Sequence, residues 1–187
     1  MSISPEKTKE DAASNVCCPP FDPSIYKGDN GTDYKLLTWK DKPFVKEGTW
    51  CLYYAPLNYG RAMTRACQKI DAADANLPEK EAIVLSDCAS PWYSTMLVSS
   101  AKDIVAGAEM VKVSGTFLVK VFEGEYKMIG EWIKEVKRLV TLLKDAKTIE
   151  SVDVEKLKFY FYYTTCPKCI KKYGKNYVVL FAKLSDE

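Results

Sequence analysis

The sequence contains no histidine. That single absence excludes Ser-His-Asp and Cys-His nucleophilic triads, histidine-ligated zinc and histidine-ligated haem. Any proton transfer must fall to Glu, Asp, Tyr, Cys or Lys. Also absent is an apolar run long enough to span a bilayer. Met1 to Ala13 is polar and mixed in charge, without the apolar stretch of a signal peptide, so the chain is read as cytoplasmic. Charge of one sign is lacking too: 27 basic residues face 25 acidic ones, for a net charge of +2. Neither nucleic acid nor an anionic membrane is expected as a partner. Seven cysteines, an odd number, in a chain too large to need disulfides, point to reduced thiols. Cys51, Cys67 and Cys88 read as small buried hydrophobes.

What is present has the length of one domain, with a tail. Residues 1–15 have the composition of disorder. Residues 16–48 read as an extended N-terminal segment packed on the domain, stiffened at its start by Cys17-Cys18-Pro19-Pro20-Phe21-Asp22-Pro23. The domain proper is read as 49–187. Thr49–Ala55, Ala82–Ser86 and Trp92–Ser99 are β-rich runs. Between the first two, Tyr59, Met63, Ala66, Ile70 and Ala73 recur at helical steps, with Asn58 as a candidate N-cap. The order then repeats. Thr116–Phe122 is a strand, Tyr126–Lys144 carries the strongest apolar stripe, and Leu157–Thr165 with Asn176–Lys183 form a hairpin.

The pattern predicts an α+β fold of two β-α-β-β halves, 49–100 and 115–184. Their strands would form one antiparallel sheet with both helices on one face. The other face of that sheet is then open. The strand Phe159-Tyr160-Phe161-Tyr162-Tyr163 is aromatic on both sides, and the side away from the helices could stack on a flat ligand. Alternatively, that side is covered by the segment from Cys17 to Lys46.

The element order resembles the GyrI-like small-molecule-binding family, the effector-binding domain of multidrug-responsive regulators. Thr116 to Trp132 is similar to that family's strand, G-x-Y turn and helix. The chain resembles most a stand-alone subgroup in CCPPFDP (Cys17–Pro23), WKDKPF (Trp39–Phe44), SPW (Ser90–Trp92), GTFLVKVFEGEY (Gly115–Tyr126) and TTCPKCIKKYGKNYVV (Thr164–Val179). The resemblance implies a protein that binds hydrophobic or cationic xenobiotics. It also implies hydrolysis of small electrophilic compounds, as in GyrI-like proteins that pair an aromatic cage with a carboxylate. Without a DNA-binding region, a regulator role is not expected.

Two candidate sites follow. The first is an aromatic cleft between the halves, lined by Tyr54, Trp92, Phe117, Tyr160 and Tyr162, with Glu123 as the acid that directs water. Glu125 instead reads as a first-turn carboxylate favoured by the helix dipole. The second is Cys166-Pro167-Lys168-Cys169. Its spacing suits a zinc knuckle, a redox pair or inert thiols. With Cys17 and Cys18 it could make a closed four-thiolate zinc site that staples the N-terminal segment to the last hairpin. A short helix over Pro167–Tyr173 fits a redox pair. Lys168, Lys171, Lys172 and Lys175 read as a solvated tip. A small-molecule ligand is the expected partner, and the protein is expected to be a monomer or homodimer.

Overall fold

The structure, a computed structural model, describes residues 18, 20–52, 55–78, 81–87, 90 and 92–186. Its strands are β1 (Tyr34–Leu52), β2 (Ala55–Pro56), β3 (Val84–Asp87), β4 (Tyr93–Ser99), β5 (Glu109–Glu123), β6 (Lys158–Tyr163) and β7 (Tyr177–Lys183). The helices are α1 (Tyr59–Ala72), α2 (Ile129–Asp145) and α3 (Pro167–Tyr173). Every strand pairing is antiparallel. The order β1-β4-β3-β6-β7-β5 closes on itself, because β5 also pairs with β1. The molecule is therefore a closed six-stranded barrel with the short β2 added at the edge.

This corrects the expected open sheet with both helices on one face. The closing seam pairs Tyr34–Lys46 of β1, expected only as an extended segment packed on the domain, with Glu109–Lys120 of β5, whose part before Thr116 is expected as a connection. A β-bulge between Trp39 and Lys42 bends β1 so that it can turn from β5 towards β4. Asp41 takes a left-handed φ of 50° there, and its N–H donates to Ser114 Oγ at 2.8 Å. Gly115, on the facing strand, has φ 129°, and a Cβ on it would come within 2.3 Å of the Ser185 carbonyl oxygen. No other residue fits that crossing without moving the chain.

Side chains alternate across the barrel wall. Phe44, Leu85, Leu97, Phe117, Val119, Tyr160, Val179 and Phe181 point inward and form one core. Outward, Leu118, Phe122, Phe161, Val178 and Leu180 meet Trp132, Val136, Val140 and Leu143 of α2. Val45, Met96 and Val98 meet Ala62, Ala66 and Ile70 of α1. The two helices thus cover different arcs of a wall whose inner side has no solvent face. Asn58 precedes α1, but its side chain accepts from Trp50 N–H at 2.8 Å rather than capping the helix. Cys51 is buried as expected, Cys67 is exposed, and Cys88 lies outside the described residues. No helix among the described residues is long and apolar enough to cross a membrane.

Glu47 fastens α1 to β1. It is 8% exposed, accepts two hydrogen bonds from Arg65 at 2.9 and 3.0 Å, and one from Lys69 at 2.7 Å. Burial pushes its carboxyl up, but the hydrogen bonds and charges of Lys69 and Arg65 outweigh this and hold it below its ordinary value. The ionised form is thus favoured by folding. Its contribution is complete above the unfolded value, about 4.3, and is lost as pH falls through the lower folded value. Glu47→Gln should cost about 1–3 kcal/mol at neutral pH, the partners being partly exposed. It should also flatten the acid limb of stability against pH. Urea titrations from pH 3 to 7 check this, and an unchanged acid limb would exclude Glu47 as its source.

Candidate functional site

The connection between β6 and β7 carries the site. Thr164 Oγ1 donates to the Tyr177 carbonyl at 3.0 Å, which closes the base of the connection. Cys166 precedes α3, Pro167 opens it with a preset φ, and Gly174 ends it at φ 67°. One helical turn then separates Cys166 from Cys169, which is buried. From the other end of the chain comes Cys18. The three Sγ atoms lie within 4.8 Å of one another. Cys166 N–H donates to Cys18 Sγ at 3.3 Å, and Tyr173 Oη donates to the Cys18 carbonyl at 2.6 Å. A tetrahedral zinc with Zn–S bonds of about 2.3 Å would place its sulfurs about 3.8 Å apart. The cluster therefore has the donor chemistry and the dimensions to hold a metal ion.

The cluster also acts on its surroundings. Burial pushes the Tyr126 hydroxyl up, and the neighbouring Cys166 and Cys18 push it further. Tyr162 is raised by burial and then by Cys18. A phenol is a hydrogen-bond donor at neutral pH in any case, and the shift only extends that range upward. Lys168, Lys171, Lys172 and Lys175 are exposed around the same connection.

Beside the cluster is a cleft of about 580 Å³. One wall is the turn from Glu123 through Tyr126, and the other is formed by Ile170 of α3 with Lys175 and Asn176. Asn176 Nδ2 donates to the Gly124 carbonyl at 2.6 Å, and Gly124 N–H donates to the Asn176 carbonyl at 3.0 Å, so the two walls are tied at the base. Glu123 is 52% exposed and lies 3.9 Å from Lys175 Nζ. Lys175 in turn donates to the Tyr177 hydroxyl at 3.4 Å.

A family model described as a bacterial hydrolase matches residues 8–184. The chain belongs to this family. No curated protein matches it.

In this member of the bacterial hydrolase family the expected site residues do not share one site. Cys18, Cys166 and Cys169 come together as expected, while Cys17 lies outside the described residues. Glu123 lines the cleft. The expected ring cluster does not form an open surface. Phe117 is fully buried and Tyr160 nearly so, their rings 6.3 Å apart inside the barrel. Tyr162 is half-buried and meets Phe21 edge-on at 6.4 Å. Trp92 is 54% exposed just before β4, and its carbonyl accepts from Cys51 N–H. Tyr54 lies outside the described residues. The sequence reading left Tyr126, Lys175 and Asn176 out of the site. All three sit within the motifs quoted above, but their meeting depends on the pairing of Glu123 with Tyr177.

Proposed function

We propose that this protein hydrolyses small electrophilic compounds in the cleft between the Glu123 turn and α3. The observation that carries the reading is the cleft itself, which joins a half-exposed carboxylate, a phenol and an ammonium on one concave surface. Glu123 takes a proton from water as the water oxygen attacks the electrophilic carbon. Tyr126 donates a hydrogen bond to the oxygen that leaves or opens. Lys175 and the Asn176–Gly124 hydrogen bonds hold the two walls. Membership of the bacterial hydrolase family supports the reaction type. The electrophile class rests on the GyrI-like resemblance. Incubation with a strained epoxide and an activated ester in ¹⁸O-water, followed by mass spectrometry, tests it. Label should enter the product at a rate proportional to protein. Retention of a compound without label uptake would make the protein a binder instead.

A second reading rests on the three sulfurs within 4.8 Å. Cys18, Cys166 and Cys169 hold one zinc ion, with the adjacent Cys17 as the candidate fourth thiolate. The site is structural, and its ion would fix α3 as a wall of the cleft. Protein purified under reducing conditions should carry one zinc per chain by elemental analysis. Cys169→Ser should reduce that content by more than about tenfold, because, Cys18 and Cys166 apart, no described residue offers a ligand atom beside this buried sulfur. Zinc-free wild-type protein would dismiss the reading.

A further inference from the structure

A second cleft opens where β1 bends. It encloses about 410 Å³ and shares no lining residue with the cleft at Glu123. That volume is within the range of small-ligand sites. One wall is the β-bulge of β1, and the other is made by Leu77 and Glu81 with Ser100, Ala101 and Asp103. Ser100 N–H donates to the Pro43 carbonyl at 3.0 Å and ties the two walls, and Ala101 N–H braces the second on the Ala75 carbonyl at 2.8 Å. Trp39 lines the cleft from the side of the core. It is half-buried, with its ring 4.7 Å from Phe117 and 5.4 Å from Phe181. Lys42 Nζ lies 5.1 Å from the Trp39 ring centroid. Lys42 is half-buried too, and among the described residues its ammonium has no hydrogen bond or ion pair.

We propose that this cleft binds a small carboxylate ion with a planar apolar body, its charged end on the Lys42 ammonium. An ammonium partly withdrawn from water, with no anion beside it, gains more from a carboxylate than a fully solvated lysine does. Burial accordingly holds Lys42 below its ordinary value, and the charge of Glu81 only partly offsets this. The acids of the cleft do not serve as its partner. Asp103 pairs with Lys112 at 2.7 Å, and Asp41 accepts from Ser114 Oγ at 3.3 Å. Glu81 is exposed and acts on Lys42 through charge alone. The apolar body of the ligand meets Pro43, Leu77 and Trp39. This site is independent of the hydrolysis proposed above, because a ligand here touches no residue of the Glu123 cleft.

The test uses the full-length protein with phenylacetate as the probe and phenylacetamide as its neutral counterpart of the same shape. Titration calorimetry gives the affinity, and the indole N–H resonances give the place. Phenylacetate should bind saturably with a Kd below about 10 mM and shift the Trp39 resonance, identified by Trp39→Phe. Phenylacetamide should bind at least about tenfold more weakly. Lys42→Met keeps the length of the side chain without its charge, and it should weaken phenylacetate by at least about tenfold. Glu81→Gln, at an exposed position, removes a competing charge and should tighten binding about twofold or more. Absence of saturable binding would overturn the site. Binding that leaves the Trp39 resonance in place, or that survives Lys42→Met, lies elsewhere and would overturn it as well. Equal affinity for the amide would overturn the carboxylate class. Should Lys42→Met fail to fold, Glu81→Gln decides, and an unchanged affinity there overturns the proposal.

Discussion

Glu123→Gln should lower turnover of an electrophilic substrate by about 10²–10⁴-fold, the usual contribution of a positioned acid or base. The amide keeps the shape of the side chain but cannot accept a proton from water. Stability should barely move. Glu123 is 52% exposed, and among the described residues its ionic contact, with the exposed Lys175, is 3.9 Å long. Such a pair is worth at most about 1 kcal/mol. Measuring kcat, KM and the urea midpoint together separates the two effects. A fall in kcat with an unchanged midpoint identifies chemistry. Unchanged kcat would remove Glu123 from the mechanism, and a fall in both would make it a brace for the Glu123–Asn176 turn.

The helices and the cysteine cluster were legible because local rules carry them. The α2 stripe repeats at helical spacing, and it packs as that spacing requires. Pro167 and Gly174 punctuate α3 at the ends the sequence suggests. Cys166 and Cys169 are one turn apart by spacing alone, whereas the place of Cys18 depends on where the N-terminal segment packs. Barrel closure was not legible. It depends on β1 meeting β5, and residues 35–46 hide their strand character. The bulge at Trp39–Lys42 breaks the alternation, and Pro43 argues against a strand interior. Without that seam the sheet has two edges and an open face, which leaves the rings of β6 free for a ligand. Closure turns the same rings into core.

Glu123 shows the opposite case. Its position at the turn before α2 suggests the rim of a ring-lined cleft between the halves, whereas the cleft it lines is formed with Tyr126, Ile170, Lys175 and Asn176. What the sequence could not supply was the opposite wall, because Lys175 and Asn176 arrive there through the β5–β7 register. The antiparallel pairing gives these residues a common surface.

Phe117 is where the two pictures give opposite numbers. If its ring lined a ligand cleft, truncation would change binding and spare stability. In the closed barrel its ring is fully buried, with Trp39 at 4.7 Å, Tyr160 at 6.3 Å and Phe181 at 6.5 Å. Phe117→Ala should therefore destabilise the protein by about 3–5 kcal/mol, since both transfer and cavity terms apply and a hydrogen-bonded wall on every side limits collapse. For a chain of this size that is a fall in melting midpoint of about 10 °C. Trp92→Ala, at an exposed ring outside the barrel, should stay within about 0.5 kcal/mol of the wild type. Parallel urea denaturation of the two variants makes the comparison. A cost for Phe117→Ala below about 1 kcal/mol would mean that the barrel interior is not close-packed around this ring, and that the space beside it belongs to a ligand after all.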